Sequence, residues 1–202
     1  MSTVNCKVNG NEKNMAQALD ATEALGQEAG LSHKEIIRLR LLSEELFGLI
    51  RGIAGDVEAD YEAKQDGKSF ELSLGADVNL DRDMRKQFLS VSSSGKNESA
   101  RGFMGKIRDM ISAVALYDKD QALLESLSSF DLMGMVSTNN YSTAQAVYNW
   151  SMLKYRQEIA NAAETHREDW DELEKSIVAS IADEVKVSIN GTFSTVTIYK
   201  SF

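Results

Sequence analysis

The sequence predicts an α+β fold: a mixed or antiparallel sheet covered on one face by helices, with a helical insertion before the last β-hairpin. Three observations carry this. Apolar residues recur at threes and fours through Ile36, Leu39, Leu42, Leu46, Leu49 or Ile50, and Ile53, the period of one long amphipathic helix. The stretches Asp56–Lys64 and Phe70–Leu74 alternate with period two around Asp66-Gly67, a hairpin signal. Val185–Ile189 and Phe193–Tyr199 do the same around Asn190-Gly191. Such a series folds as a sheet of four or five strands with the helices on one face.

Taken in order, Thr3–Val8 alternates weakly and reads as a short strand. Asn11 or Asn14 caps a helix over Glu12–Ala29, with Met15, Ala18, Leu19 and Leu25 inward and Thr22 a neutral member of that stripe. Gly30 closes it as a glycine past the helix end. Ser32 and Glu35 form a capping box that opens the long helix, Ser32–Ala54. Glu44 and Glu45 sit mid-helix, where a carboxylate is costly unless exposed or paired; exposure is the plain expectation. Leu80–Val91 reads as a short helix and Ser92–Arg101 as a Ser- and Gly-rich loop. Ile107–Leu116 is an amphipathic helix, Gln121–Met135 a short one, and Ser137–Asn140 a turn.

From Thr143 to Glu184 Tyr148, Met152, Tyr155, Ile159, Ala162, His166, Trp170, Leu173, Ile177 and Ile181 recur at threes and fours without interruption. The pattern predicts a coiled-coil-like helix of some forty residues, about 60 Å long. It either breaks near Glu164–Glu168 or projects to a partner; packing on the two helices before it is the alternative. The expected organisation is a domain of residues 1–116 plus 182–202, interrupted by a helical insertion of residues 117–181.

Composition excludes several classes. The 202 residues are 43% hydrophobic and 26% charged, ordinary for a globular chain. A net charge of −9 disfavours nucleic acid and anionic membrane surfaces. Cys6 stands alone, so an internal disulfide and a Cys-rich zinc site are excluded. No secretory signal or spanning stretch is visible, and a cytoplasmic location is expected. There is no proline to interrupt helices. Neither His33 nor His166 sits in a ligand or catalytic pattern, and no Walker-type loop occurs.

Ser43-Glu44-Glu45-Leu46-Phe47-Gly48-Leu49-Ile50-Arg51-Gly52-Ile53-Ala54-Gly55 resembles the first signature box of the histidine-kinase-like (GHKL, or Bergerat) ATPases, closest to the anti-sigma-factor serine kinases. The resemblance implies a Bergerat-like α/β sandwich. It makes Glu45 the catalytic base or water-positioner. The magnesium-binding Asn of that family falls at Leu49 and its His at Ile53. The second box, Asp-x-Gly, falls at Gly75-Ala76-Asp77. The adenine-reading carboxylate is thus replaced by Gly75, unless Asp77 substitutes from a shifted register. The third box resembles Arg101-Gly102-Phe103-Met104-Gly105, with Lys96, Arg101 and Lys106 supplying charge towards phosphates at a helix N-terminus. The final hairpin also resembles that family, so the likeness covers both ends and leaves 116–181 unmatched.

Two of the three boxes lack their polar chemistry. The expected function is therefore a pseudo-ATPase: a regulatory or binding module without cofactor or metal, acting through a protein partner or self-association of the 121–181 helices. The alternative is an ATP-binding serine kinase using Mg and ATP, with Glu45 catalytic and Asp77, Lys96, Arg101, Gly102 and Gly105 at the nucleotide. A third reading, a self-associating helical protein with an accidental likeness, requires that no such sheet lie beneath the Ser32 helix.

Overall fold

The computed structural model describes residues 1–9, 11–54, 58–78, 103–117, 147–161 and 167–202. Within them the order is β1 (Ser2–Val8), α1 (Glu12–Glu28), α2 (His33–Ala54), β2 (Ala59–Asp66), β3 (Ser69–Asp77), α3 (Phe103–Tyr117), β4 (Val147–Ser151), α4 (Met152–Asn161), α5 (Arg167–Lys175), α6 (Ile177–Ile181), β5 (Glu184–Asn190) and β6 (Phe193–Ser201). The six strands form one antiparallel sheet in the order β1-β2-β3-β6-β5-β4. The class is α+β, as the alternating stretches predict; the sheet has one or two strands more than expected.

One face of the sheet carries the core. Tyr61, Leu72, Val187, Ile189 and Ile198 point into it and are buried. The helices pack on this side because each presents one apolar stripe and the sheet offers one continuous apolar face. The other face carries Thr3, Asn5, Lys64, Glu71, Ser73 and Thr197, each exposed or half-buried.

The helix starts follow the predicted chemistry. Asn11 caps α1, its side chain accepting from Lys13 N at 2.9 Å, and Gly30 follows the helix with φ 69°. At α2, Ser32 N donates to Glu35 Oε2 at 2.6 Å and Glu35 N donates to Ser32 Oγ at 3.4 Å, the reciprocal capping box. The Ser32 hydroxyl and N–H hold the Glu35 carboxyl below the usual carboxylate range. Both hairpins have two-residue loops, but their frame differs from a centred Asp-Gly or Asn-Gly. Asp66 pairs with Ser69 and Asn190 with Phe193, so the loops are Gly67-Lys68 and Gly191-Thr192. Each glycine takes the first loop position with positive φ, 59° and 60°, as a hairpin matched to strand twist requires.

The forty-residue helix does not exist. Val147–Ser151 is a strand paired with β5, and three short helices follow. Val147, Tyr148 and Trp150 are β-branched or aromatic residues that suit a pleated surface. The Trp150 ring packs there at a tilt against Phe103 and Tyr155, with centroids 5.7 and 5.8 Å away. The serines punctuate the rest. Ser151 Oγ accepts from Lys154 N at α4, and Ser176 Oγ accepts from Ala179 N at α6. Met152, Ile159 and Leu173 are buried as the stripe predicts, whereas Trp170 and Ile177 are exposed. Thus residues inside 117–181 supply an edge strand to the common sheet. α3 also begins earlier than Ile107, at Phe103. The predicted Leu80–Val91 and Gln121–Met135 helices, the Ser92–Arg101 loop and the Ser137–Asn140 turn lie outside the described residues.

Candidate functional site

α2 is the element on which the site is built. Leu39, Leu42 and Leu46 hold it on the core with no exposure. Phe47 meets the Tyr61 ring edge-on at 4.9 Å. Arg40 ties α2 to α1: its guanidinium bonds Glu23 and, at 2.9 Å, Glu44, with Asp20 at 3.8 Å. A buried hydroxyl group joins α1, α2 and β2, with Tyr61 Oη 2.8 Å from Thr22 Oγ1 and 2.9 Å from Ser43 Oγ. Burial pushes the Tyr61 phenol up to about 12.

Glu45 is half-buried, unlike Glu44, which is exposed. Burial, and then the neighbouring Glu44 charge, push its carboxyl above the usual range. No cation among the described residues offsets this. One turn along the helix, Leu49 is 4% exposed and belongs to the core. The pair that the resemblance assigns to base and metal is therefore one carboxylate beside an apolar contact.

Gly75 and Asp77 lie on the opposite side of the sheet. They alternate with Leu74 and Ala76, which face the core, and pair with Thr195 and Phe193. A Cβ on Gly75 would stand 2.9 Å from the Phe193 ring, which covers this glycine from outside. Asp77 is exposed at the strand end. Glu45 and Asp77 are thus not brought together; the sheet separates them. Gly105 lies within the first turn of α3 rather than in a loop before it, and is half-buried. Lys96, Arg101 and Gly102 lie outside the described residues. His33 is exposed at the first position of α2; His166 lies outside.

The chain matches no protein-family model and no curated protein. What the site can do rests on its own groups. Glu45 is a carboxyl whose desolvation favours a proton, the property of a weak general base or acid. Ser194, on the core side of β6, is 4% exposed and its hydroxyl has no hydrogen-bond partner. Buried hydroxyls are normally bonded, so this one, among the described residues, is left with capacity for a further acceptor or donor. Sequence reasoning passed over it, although its alternation with Val196 and Ile198 is the signal that places it inward. Thr22 is buried on the stripe where the sequence places it, but its bonding, like that of Ser43, depends on Tyr61 arriving from another element. Among the described residues no cluster of His, Cys, Asp or Glu fits a metal ion, and no helix is long and apolar enough to cross a membrane.

Proposed function

We propose that this chain is a non-catalytic regulatory or binding module on a histidine-kinase-like ATPase fold, acting through protein–protein contacts. The observation that carries the reading is Leu49. At the position where the resemblance places the magnesium ligand, a side chain 4% exposed belongs to the hydrophobic core. Phosphoryl transfer relies on a metal to neutralise phosphate charge, and an apolar side chain cannot hold one. Gly75 supports the same reading, because the adenine-reading position is a buried glycine on the side of the sheet away from the helices, closed over by the Phe193 ring. Contacts through the 121–181 region fit the exposed Leu153, Trp170 and Ile177 of α4, α5 and α6.

One observation favours the ATP-binding serine kinase instead. Glu45 keeps a half-buried carboxyl, with its pKa raised by burial, at the position that the resemblance gives to the base. Thermal unfolding with and without millimolar Mg-ATP separates the two. An unchanged melting temperature is expected for the module. A rise of several degrees overturns it, since a ligand binding the native state alone must stabilise it.

A further inference from the structure

The solvent side of α2 carries a stripe that the core does not use. Lys34, Ile37, Leu41, Glu45 and Gly48 recur at threes and fours, opposite Leu39, Ser43 and Leu46. Ile37 is 44% exposed, a large apolar side chain in water. At Gly48 nothing lies within 4 Å of where a Cβ would stand, which leaves a shallow hole in the helix surface. Arg38 flanks the stripe on the N-terminal half, where Lys34 adds a second positive charge. Glu44 and Glu45 place negative charge on the C-terminal half. The Arg38 charge acts on Glu35 one turn back but lies in no contact pair with it, and Glu45 has only the like charge of Glu44 beside it among the described residues.

We infer that this face of α2 docks antiparallel on the same face of a second copy of the chain. The stripe is complementary to itself only in that direction. Reversal about a two-fold axis sets Ile37 over the open Gly48 of the second copy and Arg38 against its Glu45. The two pairings are centred either side of Leu42, one residue or about 1.5 Å of helix rise apart, so an axis at the level of Leu42 brings both within side-chain reach. Leu41 lies beside the axis and meets the second copy's α2 near its own counterpart. The knob-and-hole fit needs a residue without a side chain where Ile37 lands, and Gly48 supplies it. Glu45, half-buried with Glu44 beside it, gains a counter-charge that no other described residue gives it. A parallel arrangement would instead set like charges together. The stripe from Lys34 to Gly48 is about 21 Å long, so the contact is small and the dimer is a weak, reversible one.

The surface is distinct from the 121–181 region, and because the contact covers Glu45 it accords with the non-catalytic reading, whose Mg-ATP test is run at low micromolar concentration where the chain is monomeric. Sedimentation equilibrium of the full chain across micromolar to millimolar concentration tests it. Expected is a reversible dimer whose dissociation constant rises at least about tenfold in Ile37→Asp and in Arg38→Glu. The charge exchange Arg38→Glu with Glu45→Arg recovers most of the loss. Both sites are on the helix surface, and circular dichroism verifies that each variant melts as the parent does. A chain monomeric throughout that range overturns the inference. So does a dimer indifferent to all three variants, which points to the helices after β4 instead. Neither result touches the Mg-ATP test, so the two readings fail separately.

Discussion

Tyr61 gives its phenolic proton to Thr22 across 2.8 Å, and the neighbouring carbonyls fix that direction. Thr22 Oγ1 already donates to Ala18 O at 2.8 Å, so towards Tyr61 it accepts. Ser43 has the longer contact with its own carbonyl, 3.3 Å to Leu39 O, against 2.9 Å to Tyr61. It therefore donates to the phenol. The hydroxyls form a directed chain, Ser43 to Tyr61 to Thr22 to Ala18 O, that stitches α2 to the sheet and the sheet to α1.

Removing the middle link should cost little in packing and something in polarity. In Tyr61→Phe, Thr22 keeps Ala18 O and Ser43 falls back on Leu39 O. The expected loss is about 1–2 kcal/mol in urea unfolding, without a cavity. The pH dependence is more telling. The folded phenol titrates near 12, above its ordinary value of about 10 in the unfolded chain. Its contribution is therefore complete below about pH 10 and is lost as pH rises through 12. Up to about 3 kcal/mol of alkaline stability should disappear over that window in the parent chain. Tyr61→Phe should lack that part of the slope.

Glu45 behaves in the same sense at the acid end. Burial and then Glu44 raise its carboxyl pKa in the folded state. A group raised on folding stabilises most below its unfolded value and progressively less as pH rises through the folded one. Glu45→Gln should accordingly raise the unfolding free energy slightly at neutral pH, by about a few tenths of a kcal/mol, since the half-buried group is still partly screened by solvent. At low pH the variant and parent should converge. These midpoints belong at low protein concentration, where association plays no part.

How much was legible follows from which elements are specified locally. α2 was, because its cap and its core stripe lie within one stretch: Ser32 and Glu35 bond each other, and Leu39, Leu42 and Leu46 share a face. Both hairpins were, because a positive-φ glycine between alternating runs has few other uses. The region from Val147 to Ile181 misled, since apolar residues at threes and fours are compatible with several short helices as well as one long one. What divides them is Ser151 and Ser176 acting as caps, and Trp150 finding Phe103 from another element. Neither fact is local. The site shows the same division. The sequence named Glu45 and Leu49, but which side of the sheet Gly75 and Asp77 face depends on the register of β3 against β6.

That register makes a prediction about the second box. Gly75→Asp restores the carboxylate that the resemblance lacks, yet it does so on the side of the sheet away from the helices, against Phe193. The Phe193 ring is an exposed, movable side chain, so the clash is relieved by its rotation and the cost should stay near 1 kcal/mol. No gain in adenine-nucleotide affinity is expected by calorimetry. A gain would mean that β3 presents residue 75 to the core side, and the register would be wrong.

Leu49→Asn is the sharper change, because it writes the missing magnesium ligand back into α2. Leu49 is 4% exposed, so the variant exchanges buried apolar contacts for an amide with no partner among the described residues. A loss of about 3 kcal/mol or more is expected, from the cavity and from the unpaired amide together. The direction of rescue decides what the position is. If the side chain belongs to the core, Mg-ATP recovers none of the lost melting temperature, and Leu49→Met, which keeps the volume, costs under about 1.5 kcal/mol. If instead Leu49 borders a nucleotide cleft, Mg-ATP should stabilise Leu49→Asn by more than it stabilises the parent, and a vestigial pocket would have been reopened by one side chain.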